Sequence, residues 1–114
     1  MGSAAIRYNI QVAAVTEAYN TYPAMLEFRL RTGNVVAFVY HGLVKASYEP
    51  SKGIVLGFLS GPTIQLAGRN LLPLFEGIIQ HQVRWVPEID KQSSLVSVGQ
   101  EVVIEEISIQ KQGG

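Results

Sequence analysis

The chain reads as an α+β protein: a strongly bent, mostly antiparallel β-sheet, or a partly open barrel, carrying one packed helix. Three observations predict this class. Short runs alternate apolar and polar residues with period two. Turn-forming residues separate successive runs too closely for parallel crossovers. One segment, near residue 75, changes to a period of 3.6. At 114 residues the chain is the size of one domain, spanning 1–114.

The first run is Ile6, Tyr8, Ile10 and Val12 between Arg7, Asn9 and Gln11, a half-buried strand. Residues 13–22 mix their signals, are read as an irregular connection, and end at Pro23. Leu26, Phe28 and Leu30 alternate with Glu27, Arg29 and Arg31 as a second strand, and Thr32-Gly33-Asn34 supplies a hairpin turn. Residues 35–48 are β-branched and aromatic, interrupted at His41-Gly42, and predict one long bent strand or two strands around a corner. The turn at 49–53, a strand at 54–59, the turn at Ser60-Gly61-Pro62 and a strand at 63–67 complete an antiparallel meander.

After Gly68 the spacing of Leu71, Leu72, Phe75, Ile78 and Ile79 predicts a helix over about 71–82. Asn70 is its expected N-cap, and Pro73 falls in the first turn, where a missing N–H is tolerated. Val83 to Val86 resume a strand limited by Pro87. Residues 91–100 read as a flexible connection, and Glu101–Gln110 as a terminal strand. Its apolar positions change phase at Glu105-Glu106, which predicts a bulge there or burial of both faces. The expected core takes Ile10, Leu26, Phe28, Leu30, Val36, Phe38, Ile54, Leu56, Phe58, Leu72, Phe75, Ile79 and Trp85.

Composition narrows the function classes. Apolar residues make up 47% and charged ones 16%, against a usual charged share of about 25%. Nine basic residues balance nine acidic ones, which argues against a general nucleic-acid binder. The balance is not local: residues 1–84 hold seven basic and four acidic groups, and residues 85–114 hold two and five. The acidic C-terminal strand is thus suited to dock on the more basic body of its own or a neighbouring subunit. With no cysteine, thiol catalysis, disulfides and Cys-based metal sites are excluded. The longest uncharged stretch, Gly53–Gly68, is shorter than the about 20 residues a membrane helix needs. No membrane partner and a cytoplasmic location are expected.

Catalytic groups are scarce. Asp90 is the only aspartate, and His41 and His81 are the only histidines, far apart in the chain and without metal-ligand spacing. No metal or cofactor is expected. Gly68-Arg69-Asn70, between a strand and a helix start, is a candidate site for a small anion or an acidic partner, with Lys52 from an earlier turn nearby. His81, Arg84, Trp85 and Glu88 form a second cluster of binding-prone residue types. His41, Tyr48, Arg69 and His81 are the candidates for a pocket in a barrel mouth.

The segments YEPSKGIVLGF, GRNLLPLFEGI and HQVRW, within residues 35–85, resemble pieces of short uncharacterised bacterial proteins, a group that implies no activity. The meander followed by a helix is also similar to small PH-like barrels, although about thirty residues and two strands follow the helix here. The favoured function is a non-enzymatic binding or assembly module forming a homo-oligomer through its C-terminal strand. The alternatives are a small-ligand-binding protein or simple enzyme with a pocket in the barrel mouth, and a nucleic-acid-binding module.

Overall fold

Period-two alternation acts where it is cleanest. Met25–Arg29 forms strand β2, with Leu26 and Phe28 turned inward and fully buried. The computed structural model describes residues 11–12, 23–89 and 102–111. A two-residue strand β1, Gln11–Val12, precedes β2. The rest of the expected first strand, the connection at 13–22 and the whole of the 91–100 connection lie outside the described residues.

The turn at residues 30–34 closes as expected. The Leu30 N–H donates to the Asn34 carbonyl at 2.8 Å, and Gly33 takes φ +98°. β3, Val35–Val39, returns antiparallel to β2. A 3-10 turn at Tyr40–Gly42 then carries the chain out of this sheet. Of the two alternatives for residues 35–48, the two strands around a corner are the ones that form.

β4 (Leu43–Glu49), β5 (Gly53–Phe58) and β6 (Thr63–Arg69) make a second, antiparallel sheet. Gly53 is required at its turn: it has φ +98°, and a Cβ there would lie 2.1 Å from the Leu66 carbonyl oxygen. The expected continuous meander is therefore split between two sheets at Tyr40.

The helix α1 spans Leu72–Ile79, shorter than the expected 71–82. Two left-handed residues bound it. Asn70, at φ +57°, turns the chain out of β6, so Leu71 takes the cap position and makes no side-chain cap bond. Pro73 does stand in the first turn. At the other end His81 has φ +59°; its N–H donates to the Ile78 carbonyl, and the Gln82 N–H donates to the Gly77 carbonyl. This is a Schellman ending, with histidine where glycine is usual.

Its inward face is Leu74, Gly77 and Ile78, preceded by the buried Leu71, and at about 100° per residue Leu72 and Ile79 fall on the far flank of that stripe. Leu72 and Ile79, expected in the core, are 45% and 49% exposed. Gly77 allows a close approach, since a Cβ there would stand 3.0 Å from a Val83 methyl.

β7, Val83–Pro87, returns to the first sheet and lies parallel to β2, with Glu27 opposite Trp85. The first sheet has the order β1-β7-β2-β3, and the second β4-β5-β6-β8. β8, Val103–Gln110, pairs antiparallel with β6 of its own chain. Ala67 faces Glu106 and Gly68 faces Ile104, so Glu105 is an extra residue, the bulge that the change of apolar phase predicts. Gly68 is obligatory there, because a Cβ would lie 1.8 Å from the Val103 carbonyl oxygen.

The inner faces of both sheets and the helix share one core of Leu26, Phe28, Tyr40, Ile54, Leu56, Ile64, Leu66 and Ile78 with their neighbours. Phe38 of β3 stacks on Phe58 of β5 with ring centroids 5.0 Å apart, joining the two sheets. The result is α+β, mostly antiparallel and bent, with no barrel closure among the described residues.

Candidate interaction surface

The outer face of the first sheet is built by the odd-numbered residues of β2 and β3. Register places Met25 beside Val39, Glu27 beside Ala37, and Arg29 beside Val35. On the other flank of β2, Trp85 stands beside Glu27 and Pro87 beside Arg29. The Arg29 guanidinium carbon lies 3.6 Å over the Trp85 ring centroid, and Arg29 Nε donates to Glu27 Oε1 at 3.2 Å. Glu27 thus holds the guanidinium flat against the indole, a stack contributing about 0.5–1 kcal/mol at an exposed site.

Around this stack Met25, Val35 and Val39 are 42%, 55% and 49% exposed. Trp85 was expected in the core and is half-buried on this outer face instead. The reason is register: pairing with Glu27 gives Trp85 the outward parity of β2, while Val86, opposite Phe28, points in.

The outer face of the second sheet is polar. Lys45, Ser47, Glu49, Lys52 and Thr63 rim a shallow depression of about 310 Å3 floored by Val55 and the glycines of β5. Lys52 and Glu49 pair at 3.8 Å with both side chains well exposed, so the pair adds little stability.

The sequence candidates are placed as follows. Lys52 lines the depression. Tyr48 is half-buried and packs against Phe75 of the helix, ring centroids 5.9 Å apart. Arg69, at the end of β6, pairs with Glu105 of the β8 bulge at 3.8 Å, and Asn70 makes the left-handed turn that follows. His81 stacks on Tyr40, centroids 4.4 Å apart. His41 is exposed in the turn between β3 and β4, and Arg84 is exposed on β7. The four pocket candidates therefore answer to different neighbours: Tyr48 to Phe75, Arg69 to Glu105, His81 to Tyr40, and His41 to solvent. No group of three or more metal-binding side chains occurs among the described residues. No helix among them is long and apolar enough to cross a membrane.

Glu88 has a role that its place in the sequence does not announce. Its side chain is 9% exposed, and Oε1 accepts the Arg31 N–H at 3.0 Å while Oε2 accepts the Ile107 N–H at 2.9 Å. One carboxylate thus ties the end of the β2 hairpin to β8. The flanking main chain repeats the tie: the Glu88 N–H donates to the Arg29 carbonyl, and the Ile89 N–H to the Ile104 carbonyl. Arg29, Met25, Val35 and Val39 are each unremarkable as single residues of the sequence. Only register gathers them into one surface.

No protein-family model matches the chain, and neither a curated protein nor a solved structure matches it.

Proposed function

We propose that this protein is a non-enzymatic binding and assembly module whose copies associate in the cytoplasm. The observation that carries the proposal is the outer face of the first sheet, where exposed Met25, Val35 and Val39 surround the Arg29–Trp85 stack. Methionine, arginine and aromatic residues are the types enriched at protein interfaces. Contiguous apolar surface of this kind marks an interaction site more often than idle exposure. The C-terminal strand, the expected agent of assembly, lies in register on β6 of its own chain, so the proposal rests on the first sheet instead.

The test is sedimentation velocity from about 1 μM to 1 mM, a range matching the weak affinities of small interfaces. The sedimentation coefficient is expected to rise with concentration. A single monomeric species throughout would defeat the assembly reading.

A further inference from the structure

The assembly reading leaves open which surface joins two copies, and the backbone of β3 singles out one. We propose that β3 is a self-pairing edge: two copies join their first sheets antiparallel about a two-fold axis through Ala37. This inference rests on the assembly reading and adds the surface and the register.

The hydrogen-bond ladder fixes which groups face outward. The Leu30 N–H donates to the Asn34 carbonyl, and the Tyr40 N–H to the Ala24 carbonyl. In the antiparallel register the even-numbered residues Asn34, Val36, Phe38 and Tyr40 therefore bond toward β2. Val35, Ala37 and Val39 direct their N–H and carbonyl groups to the opposite edge, where β3 has no neighbour among the described strands. That edge presents three donors and three acceptors in a row.

Three other described strands lie at sheet edges, β1, β4 and β8, and the described part of β1 is only two residues long, while the other two are defended. β4 carries Lys45 beside the bulge at Val44. β8 carries Glu105 and Glu106 at its own bulge, with Lys111 just beyond. Charges and bulges are the devices by which edges are kept from pairing. β3 has neither: VVAFV is uncharged, in unbroken register with β2, and without proline.

The strand is also self-complementary. A two-fold axis through Ala37 sets Val35 against the partner's Val39 and Val36 against the partner's Phe38. The first pair makes hydrogen bonds, as Ala37 does with its own copy, and all three outward residues on each strand are satisfied. The Val36–Phe38 pair joins a β-branched to an aromatic side chain, a favourable cross-strand combination. Both residues are only half-buried in the single chain. The apolar rows of Met25, Val35 and Val39 become continuous across the axis.

The chain contains no cysteine, so one introduced thiol reports on one position. In this register the two Ala37 Cα atoms stand about 5.5 Å apart, within disulfide range. Ala37→Cys is expected to form a disulfide-linked dimer on mild oxidation at about 100 μM protein, a concentration suited to a weak complex. Val35→Cys is expected to stay monomeric under the same treatment, because its two copies are about 14 Å apart along the strands. Ala37→Glu, whose side chain lies on the exposed outer face, sets two like charges across the axis. It is expected to weaken association at least tenfold in sedimentation and, because the new carboxylate also stands beside Glu27 of its own chain, to lower the urea midpoint by less than about 1 M.

If the wild-type chain associates but Ala37→Glu associates equally and Ala37→Cys does not cross-link, the β3 register is overturned and the assembly reading survives. Cross-linking of Val35→Cys as efficient as that of Ala37→Cys also overturns the register. A wild-type chain that stays monomeric to about 1 mM removes both.

Discussion

Replacing Glu88 tests whether one carboxylate holds the two sheets together. It accepts two backbone N–H groups from opposite sides, Arg31 at 3.0 Å and Ile107 at 2.9 Å, with its side chain 9% exposed. A hydrogen bond to a charged group contributes about 1.5–3 kcal/mol net, and a buried donor left bare costs about 1–3 kcal/mol. Ile107 is 8% exposed, so water cannot readily replace the lost acceptor there, whereas Arg31 is exposed and rehydrates. Glu88→Ala is therefore expected to lose about 3–5 kcal/mol. Glu88→Gln keeps one acceptor oxygen for Ile107 and turns its NH2 toward Arg31, so its loss should be about 1.5–3 kcal/mol. The 3.9 Å contact with the Arg31 guanidinium is mostly solvated, and Arg31→Ala should cost less than about 1 kcal/mol. The assay is urea unfolding followed by the fluorescence of Trp85, the only tryptophan. With a slope of about 1–3 kcal/mol per molar urea, the midpoint should fall by about 2 M for alanine and about 1 M for glutamine. Midpoints within about 0.3 M of wild type for both variants would refute the reasoning, since the slope then leaves under about 1 kcal/mol for the whole strut.

Two further outcomes follow from the structure. Gly68→Ala should cost more than about 3 kcal/mol, because its Cβ would stand 1.8 Å from the Val103 carbonyl oxygen and the β6–β8 ladder must shift; Gly57→Ala, whose Cβ meets only the Lys45 Cβ at 3.7 Å, is the control and should unfold near the wild-type midpoint. Tyr40→Phe removes a buried 2.7 Å bond from the phenol to the Val83 carbonyl and should cost about 0.5–1.5 kcal/mol at pH 8. Burial holds the Tyr40 phenol well above the ordinary tyrosine range. Its contribution is therefore complete below the unfolded value of about 10 and falls as pH rises beyond it, where only the unfolded chain releases the proton. The gap between wild type and Tyr40→Phe should narrow by about 1 kcal/mol from pH 8 to pH 11 in urea titrations; a constant gap would show that Tyr40 does not ionise on unfolding.

Features decided within a few residues are legible in this sequence. The turns at 30–34 and 49–53 follow from glycine, asparagine and proline, and the bulge at Glu105 from a one-residue slip in the apolar pattern. Features decided between distant segments are not. Tyr40 sends the chain from one sheet to the other, and nothing in the apolar run from Val35 to Tyr48 says which strands will share a sheet. The apolar residues at 71, 72, 74, 75, 78 and 79 fit more than one helical stripe, and only packing against β4 and β7 turns Leu71, Leu74 and Ile78 inward and leaves Leu72 and Ile79 exposed. Trp85 reads as core by residue type, yet its parity is inherited from β2, a partner far away in sequence. The candidate surface inherits the same difficulty. Charged and aromatic candidates are visible one at a time, while the Arg29–Trp85 stack and the edge of β3 that no described strand covers exist only once register is known.

The parallel join of β2 and β7 also bears on the order in which the molecule assembles. The hairpins β2–β3, β4–β5 and β5–β6 close over a few residues each. Arg31 and Glu88, at the end of the β2–β7 join, are 57 positions apart. Loop-closure entropy grows with that separation, so this join carries the largest entropic barrier of the strand pairings within residues 23–89. Until it closes, β2 lacks its inner neighbour and the β2–β3 hairpin offers open edges on both sides. The strand proposed as a meeting place for two copies thus belongs to a hairpin that stays unshielded on its β7 side while the β2–β7 join is open.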